Sequence, residues 1–282
     1  MVTLTLRPDQ PFNLDHTLSC GQVFRWEQRN GWWYGVVGER VLKVRQEKDT
    51  LTFHGAGRKF FRDYFQLDAD LPKIHNSIDR DPVIHAAIEA YRGLRIVWQP
   101  PWECTLSYLC ATYSNIPIIR KRIELLSHQF GDEVWFEGVR FYTFPSPEQL
   151  SSHCCDQLNG CKLGYRAPYL HETACRLGRE PGWEEKVASL PYEEARHYLR
   201  TLKGIGPKAA DCILLFAFQK YEAFPVDVWI RRIVERHYPQ YATYHKGDVN
   251  ERIRQFGMDF FGPYAGYAQE YLFCAREKLS LD

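Results

Sequence analysis

The sequence lacks both of the apolar features that direct a chain to or across a membrane. No apolar run approaches the roughly 20 residues needed to span a bilayer. The opening residues Met1–Pro8 also lack the basic stretch followed by an apolar one that marks a secretory leader. The nine cysteines are odd in number. We therefore expect a cytoplasmic, non-secreted protein with reduced thiols rather than a disulfide framework.

The chain also lacks a strong net charge, internal repeats and low-complexity segments. Its 36 Lys and Arg residues nearly balance its 35 Asp and Glu residues, which leaves a formal charge of +1. This balance argues against a protein that coats nucleic acid through a global positive field, so any such contact would depend on backbone amides and a local patch. At 282 residues, 45% of them hydrophobic and 15% aromatic, the chain can form a large core and two domains.

Strand-forming segments fill the first part of the chain, from Thr3 to about Gly55. The β-rich segments are Val2–Leu6, Gly31–Val37, Val41–Arg45 and Leu51–Phe53. Their modest alternation predicts an antiparallel sheet with one face covered. From Lys59 to Tyr91 the apolar spacing becomes helical.

A proline-containing connection, Trp98–Trp102, separates this part from the rest of the chain. Prolines stiffen a connection, so we place the domain boundary here, between residues 1–98 and 99–282. Val134–Phe136 and Val139–Thr143 predict a small hairpin or an irregular insert, and the rest of the second part has the pattern of short helices, the last from about Ala265 to Lys278. The predicted fold class is α+β, with an N-terminal antiparallel sheet followed by a larger all-helical region.

The segment Thr201–Cys212 has the pattern of a sharp turn between two amphipathic helices. Gly204 and Gly206 flank one apolar residue, Ile205, and Pro207 suits the first position of a second helix. With Ser189 as the cap of the first helix, this predicts a helix-hairpin-helix at about residues 190–219. The turn amides lie at the positive end of the second helix, where they could bind a phosphate.

Two residues near this turn could carry chemistry. Lys208 lies in the first turn of the second predicted helix, where the positive helix end should lower its pKa and favour attack on an electrophilic carbon. A surface lysine that contacts a phosphate explains the same position. Asp227 follows Pro225 and Val226 and precedes an amphipathic segment, which predicts a helix N-cap. A carboxylate there could also stabilise positive charge on a sugar that loses its base.

Five groups of segments, in chain order, resemble the 8-oxoguanine DNA glycosylases, a branch of the helix-hairpin-helix glycosylase superfamily. They are Ser19–Trp26; Trp102–Cys104 with Ser114–Ile116; Gly164–Tyr169; Leu202–Cys212 with Pro225–Val228; and Gly262–Phe273. The resemblance covers almost the whole chain, and the sequence pattern is more similar to that of the bacterial or archaeal members of the family. It implies an N-terminal domain like the TATA-binding protein. It also implies a bifunctional DNA glycosylase and AP lyase that excises 8-oxoguanine in base excision repair.

The resemblance also implies a role for each matching residue. Lys208 matches the lysine that forms a Schiff base, and Asp227 matches the catalytic aspartate. The base-binding positions are Gly21, whose carbonyl would accept from N7–H of 8-oxoguanine, Gln269, which would read the Watson–Crick edge, and Phe273 and Cys212, which would cover the two faces of the flipped base. A buried acceptor would reject guanine, because guanine has no proton on N7.

The DNA-contacting positions include several departures from the family pattern. The implied set is Gly204, Ile205, Gly206, Tyr113, Asn115, Tyr165 and Trp229. Tyr113 and Ile118 stand where eukaryotic members have the asparagine and arginine that read the unpaired cytosine, so we expect looser reading of the opposite base. Tyr165 could wedge into the gap left by the flipped nucleotide. Trp229 replaces a histidine that contacts phosphate in those members.

We expect no metal or redox cofactor. His153, Cys154, Cys155 and Cys161 do not have a recognised zinc spacing. Only Cys274 follows Asp227, whereas the iron–sulfur branch of the superfamily needs four cysteines there. A monovalent cation could bind the hairpin carbonyls of Arg200, Leu202 and Ile205.

The expected partner is double-stranded DNA containing 8-oxoguanine, bound by a monomer that associates with the nucleoid if the source is prokaryotic. Two alternatives stay open at this point. One is a non-catalytic helix-hairpin-helix protein that binds DNA. The other is a glycosylase for a different damaged purine. Lys208 argues against this alternative, because the alkylated-purine branch generally lacks this lysine.

Overall fold

A five-stranded antiparallel sheet opens the chain in the computed structural model, which describes residues 1–280. The strands are β1 (Val2–Thr5), β2 (Trp26–Arg29), β3 (Trp32–Val37), β4 (Arg40–Glu47) and β5 (Thr50–His54), with the separate hairpin β6 (Glu133–Phe136) and β7 (Val139–Tyr142). The sheet order is β1-β5-β4-β3-β2. In the central strand, Val44 lies opposite Trp33 on one side and Phe53 on the other. The antiparallel sheet and the small hairpin predicted from the sequence are confirmed.

The rest of the described chain is mainly helical. The helices are α1 (Leu14–Ser19), α2 (Arg58–Tyr64), α3 (Leu71–Ile78), α4 (Pro82–Ala90), α5 (Pro101–Ala111), α6 (Ile116–Phe130), α7 (Pro147–Ser151), α8 (Cys155–Asn159), α9 (Ala167–Leu177), α10 (Trp183–Ser189), α11 (Tyr192–Arg200), α12 (Pro207–Phe218), α13 (Val228–His237), α14 (Val249–Phe261), α15 (Ala265–Cys274) and α16 (Arg276–Ser280). Within residues 1–280, none of these helices is long and apolar enough to cross a bilayer.

Two hydrophobic cores hold these elements together. The smaller one lies under the sheet, where the Phe53 and Phe61 rings are 4.1 Å apart between β5 and α2. The larger one fills the helical region and also takes in α3 and α4, which pack on α15. The N-terminal part of the chain therefore contributes to both cores, and the domain boundary near residue 98 stays a prediction.

The connection after the sheet is fixed to the hairpin helix α12. The indole Nε1 of Trp98 donates to the carbonyl of Ala217 at 2.9 Å, and the amide of Gln99 donates to the carbonyl of Phe216 at 2.9 Å. The predicted stiff connection thus gains hydrogen bonds to the helix that carries Lys208.

The helix-hairpin-helix consists of α11 and α12, joined by a short turn. Gly204 has a φ of +85°, and a Cβ there would lie 2.8 Å from Cδ2 of Tyr169, so this turn requires glycine. Asp211 of α12 accepts hydrogen bonds from Tyr192 and from Arg196 of α11, both at 2.7 Å. These bonds tie the two helices together below the turn.

Two sequence expectations about helix ends are wrong. Pro191, not Ser189, is the N-cap of α11, because α10 continues to Ser189 and the chain must extend before the next helix. The predicted final helix is divided at Ala275, where the backbone leaves helical geometry between α15 and α16.

Candidate active site

Lys208 lies one residue inside the N-terminus of α12 and faces α5. Its Nζ is 5.1 Å from the ring centroid of Tyr108, close enough for a cation–π interaction. The Tyr108 ring in turn stacks on Phe216 at 5.8 Å and meets the edge of Phe24. An aromatic wall therefore fixes the position of the ammonium group.

The groups around Lys208 favour its charged form. Burial works against the charge, but Cys212, Asp227 and Glu270 outweigh it and raise the pKa of Lys208 above its ordinary value. The lowered pKa expected from the helix N-terminus is wrong, because these nearby groups dominate. In the DNA-free protein Lys208 is an ammonium ion and must lose a proton before it can act as a nucleophile.

Asp227 is the N-cap of α13, as predicted. Its Oδ1 accepts from the amide of Trp229 at 3.0 Å and from the amide of Ile230 at 2.8 Å. These two bonds hold the carboxylate in one orientation. Its charge raises the pKa of Lys208, so the fold couples electrostatically the two residues singled out for chemistry.

Gly21 and Phe273 meet although they lie 252 positions apart in the chain. Gly21 has a φ of +107°, and a Cβ there would lie 3.7 Å from Cε1 of Phe273 and 2.9 Å from Cδ1 of Ile116. Gln269 is one turn before Phe273 on α15 and is 5% exposed. Its Oε1 has no hydrogen-bond partner within residues 1–280. An unpartnered buried amide oxygen beside an aromatic ring suits a site that reads a base.

Cys212 and Phe273 lie on different helices, as two walls of a pocket require. Cys212 is one turn after Lys208 on α12, and burial raises the pKa of its thiol to about 12. The guanidinium of Arg276 lies 4.3 Å from the centroid of the Phe273 ring. Such a contact helps to fix the orientation of the ring.

The segment that carries Gly21 is held by its neighbour Gln22. The amide of Gln22 donates to the carbonyls of Thr17 and Arg95, and its Oε1 accepts from the amide of Val97, each at 2.9 Å. The carbonyl of Gln22 accepts from Gln99 at 2.7 Å. Gln22 was not recognised from the sequence as part of the site, although it lies within the matching segment Ser19–Trp26.

Three large apolar side chains project from the face that carries the predicted DNA contacts. Tyr113 is 95% exposed and has a φ of +50°, Tyr165 is 52% exposed, and Ile118 is also exposed. Arg166 lies 4.2 Å from the Tyr165 ring and donates to the carbonyl of Thr112, which precedes Tyr113. Arg166 thereby links the two exposed tyrosines.

Three further predicted DNA contacts, Ile205, Asn115 and Trp229, have partners inside the protein. The amide of Ile205 donates to the carbonyl of Leu202 at 3.1 Å, so this amide is already used in the turn. Asn115 caps α6 by accepting from the amide of Ile118 at 3.1 Å. Trp229 is partly exposed, with Arg232 5.3 Å from its ring. Their predicted roles toward DNA stay predictions.

Besides Gln22, two site residues were missed in the sequence, Tyr108 and Glu270. Tyr108 has no local signal, because its importance comes from the packing of α5 on α12. Glu270 did have a local signal, because it is the sole charged residue in the apolar segment Ala265–Cys274 and follows Gln269 directly.

Two family profiles match the chain. The profile for the 8-oxoguanine DNA glycosylase N-terminal domain matches residues 5–105, and the profile for HhH-GPD superfamily base excision DNA repair proteins matches residues 119–257. A probable N-glycosylase/DNA lyase of Methanothermobacter thermautotrophicus is 34% identical over 230 residues, which cover 74% of this chain and 71% of that relative. The chain belongs to the 8-oxoguanine DNA glycosylase family. The resemblance inferred from its motifs is confirmed.

Solved structures of this family are similar over the whole fold. MBOgg1, in complex with a low affinity DNA ligand, is 34% identical with a TM-score of 0.92, over 100% of this chain and 97% of the other. The 8-oxoguanine glycosylase/lyase of Clostridium acetobutylicum, in complex with double-stranded DNA containing cytosine opposite 8-oxoguanine, is 32% identical with a TM-score of 0.89, over 99% and 98% of the two chains. The predicted α+β architecture is thus confirmed as that of 8-oxoguanine DNA glycosylases.

Proposed function

We propose that this chain is a bifunctional DNA glycosylase and AP lyase that excises 8-oxoguanine from duplex DNA. The observation that carries the proposal is the contact between Gly21 and Phe273 near the buried, unpartnered Oε1 of Gln269. The electrostatic coupling of Lys208 to Asp227 adds the chemistry. A protein that only binds DNA needs no such pocket. Membership of the 8-oxoguanine DNA glycosylase family supports the same activity.

Lys208 acts as the nucleophile in this proposal. Its neutral amine attacks C1′ of the sugar, the glycosidic bond breaks, and the bonding electron pair leaves with the base. Asp227 stabilises the positive charge that develops on the sugar and helps to remove the ammonium proton. The C1′–O4′ bond then breaks, O4′ takes up a proton, and the nitrogen lone pair forms the imine with C1′. This imine acidifies the C2′ proton, whose loss expels the 3′ phosphate in a β-elimination. The expelled base could carry protons in these steps.

The pocket selects the oxidised base by its proton on N7. The carbonyl of Gly21 would accept from this proton, and guanine would instead present a lone pair to a buried acceptor. Oε1 of Gln269, which lacks a partner within the described chain, would accept from the Watson–Crick edge of the flipped base. Cys212 and Phe273 would cover its two faces.

The DNA backbone would bind at the hairpin turn. Because the Ile205 amide is used within the turn, the amides of Gly204 and Gly206 would hold the phosphate. A monovalent cation could bind the carbonyls of Arg200, Leu202 and Ile205, and the excision chemistry itself needs no metal or redox group. We further propose that the enzyme acts as a monomer in the cytoplasm.

Borohydride trapping tests the nucleophile. An 8-oxoguanine duplex should crosslink to the wild type and not to Lys208→Gln. Lys203→Gln is the matched control, because Lys203 lies on the same hairpin but pairs with Glu172 at 2.7 Å at the surface. Trapping by Lys208→Gln would refute the assignment. Salt-sensitive binding by the wild type without trapping or cleavage would favour the non-catalytic DNA-binding protein.

A further inference from the structure

A cluster of two thiols and one carboxylate lies directly behind the base pocket. Cys20 precedes Gly21, while Glu270 and Cys274 lie one turn apart on α15. One donor atom from each of the three residues lies within 4.8 Å of the others, and all three side chains are buried. Each cysteine is the chain neighbour of a pocket residue, Gly21 in one case and Phe273 in the other.

One oxygen of the Glu270 carboxyl group lacks the hydrogen-bond partner that a buried polar atom normally has. The residue is 3% exposed, and its Oε1 has no hydrogen-bond partner within residues 1–280. Two basic residues act on this carboxyl group, Lys208 and Arg276, but within residues 1–280 neither donates a hydrogen bond to it. Lys208 lies over the ring of Tyr108, and Arg276 donates to the carbonyl of Phe273 at 2.8 Å. A buried, unpartnered carboxylate oxygen between two thiols calls for a cation.

We propose that Cys20, Glu270 and Cys274 bind one thiophilic divalent cation of the zinc type. Thiolate sulfur and carboxylate oxygen are donors that zinc accepts, and three protein ligands leave a fourth position for water. Coordination requires only proton loss. The Cys20 thiol, which now donates to the carbonyl of Thr17 at 3.2 Å, and the Cys274 thiol release their protons to solvent. The Glu270 carboxyl group, whose pKa burial raises well above its ordinary value, does the same. No electron is transferred.

The position of the site gives the ion a structural role. It would join the segment before Gly21 to the helix that carries Gln269 and Phe273, and so hold two sides of the base pocket together. The ion takes no part in the proposed excision steps, and the site does not depend on that proposal.

The other cysteines of the described chain do not form a comparable site. Cys161 is buried, but its thiol contacts the amide oxygen of Gln129 at 3.3 Å. Cys154 is exposed, and the neighbouring His153 contacts the carbonyl of Gln149 through Nδ1. Three converging donors occur at Cys20, Glu270 and Cys274 alone within residues 1–280.

Zinc titration of the full chain against a chromophoric chelator, under reducing conditions, tests the site. We expect one tightly bound equivalent in the wild type, and its loss in Glu270→Gln and in Cys274→Ser. Cys161→Ser is the matched control, since it removes a buried thiol elsewhere and should bind zinc like the wild type. Surface thiols are the same in Glu270→Gln and the wild type, so they cannot produce the difference.

Two further measurements keep the test independent of folding defects. Cobalt should give thiolate charge-transfer absorption with the wild type and with Cys161→Ser, and this absorption should be lost in Cys274→Ser and in Cys20→Ser. Stoichiometric zinc should raise the Tm of the wild type and leave that of the isosteric Glu270→Gln unchanged. Absence of a tight equivalent in the wild type, or unaltered binding by Glu270→Gln, would overturn the proposal.

Discussion

Asp227 is both a helix cap and the proposed catalytic carboxylate, and two substitutions separate these roles. Asp227→Ala removes both hydrogen bonds to α13, to Trp229 at 3.0 Å and to Ile230 at 2.8 Å. Loss of such a cap costs about 1–2 kcal/mol of stability. Asp227→Asn keeps an accepting oxygen at the cap and loses only the favourable charge at the helix N-terminus, worth about 0.3–1 kcal/mol.

Excision should fall in both variants, because both lack the negative charge that stabilises the sugar cation. A preorganised electrostatic group of this kind contributes about 100- to 1,000-fold in rate. Single-turnover excision of 8-oxoguanine, measured beside urea unfolding of the same variants, checks the two roles separately. We expect Asp227→Asn to be nearly as stable as the wild type and at least about 100-fold slower.

Asp248 supplies the matched control for this experiment. It caps α14 by accepting from the amide of Glu251 at 2.9 Å, so Asp248→Ala should lose comparable stability while excision at saturating enzyme stays unchanged. If Asp227→Asn excises 8-oxoguanine within a few-fold of the wild-type rate, Asp227 is a cap and the reasoning about its charge fails.

Four further predictions concern the nucleophile, the pocket, the opposite strand and stability. Because Asp227 raises the pKa of Lys208, the trapping rate should rise with pH above neutrality, and Asp227→Asn should shift that rise to lower pH. Gly21→Ala forces a side chain into φ +107° and toward the Ile116 methyl group. It should cost about 1–2 kcal/mol and reduce discrimination between 8-oxoguanine and guanine, which a competition assay would measure. Tyr113→Ala should weaken binding to lesion duplexes by a similar factor opposite all four bases, since an aromatic ring stacks without reading base edges; a loss confined to cytosine would contradict this. Burial lowers the pKa of His75, which contacts the hydroxyl of Tyr271 at 2.8 Å, to about 4. Stability should therefore be fully present above about pH 6.5 and fall by about 1–2 kcal/mol toward pH 4, a loss that urea unfolding should find reduced in His75→Gln.

The sequence predicted the elements whose signals are local. Proline at the first turn and glycines in the loop identify the hairpin of α11 and α12, and Asp227 before an amphipathic segment identifies the cap of α13. The missed strand β2 had such a signal as well: Asn30-Gly31 is a typical two-residue hairpin turn, and both residues have positive φ. The polar side chains of Glu27, Gln28 and Arg29 obscured it, because β2 is an edge strand.

A local sequence pattern cannot predict which charged groups surround a buried side chain in the folded protein. The pKa of Lys208 was expected to fall because only its own helix is visible in the sequence. In the fold, α12 meets α15 and the start of α13, which bring Glu270 and Asp227 into its surroundings. Cys212, one turn after Lys208 on the same helix, contributes most to the raised pKa, while Asp227 and Glu270, 19 and 62 positions away, act on Lys208 only through tertiary packing.

The same reasoning explains why a residue from the β-rich part completes a pocket built on helices. Gly21 lies on no helix or strand. Its neighbour Gln22 holds it in place through side-chain hydrogen bonds to Thr17, Arg95 and Val97. Val97 belongs to the core under the sheet, while Phe273 on the opposite side packs against the larger helical core. The contact between Gly21 and Phe273 therefore forms only when both cores are packed. A Gln22→Leu substitution should remove the three side-chain hydrogen bonds to Thr17, Arg95 and Val97 and loosen the pocket as well as the fold, so that affinity for 8-oxoguanine falls more than affinity for undamaged DNA.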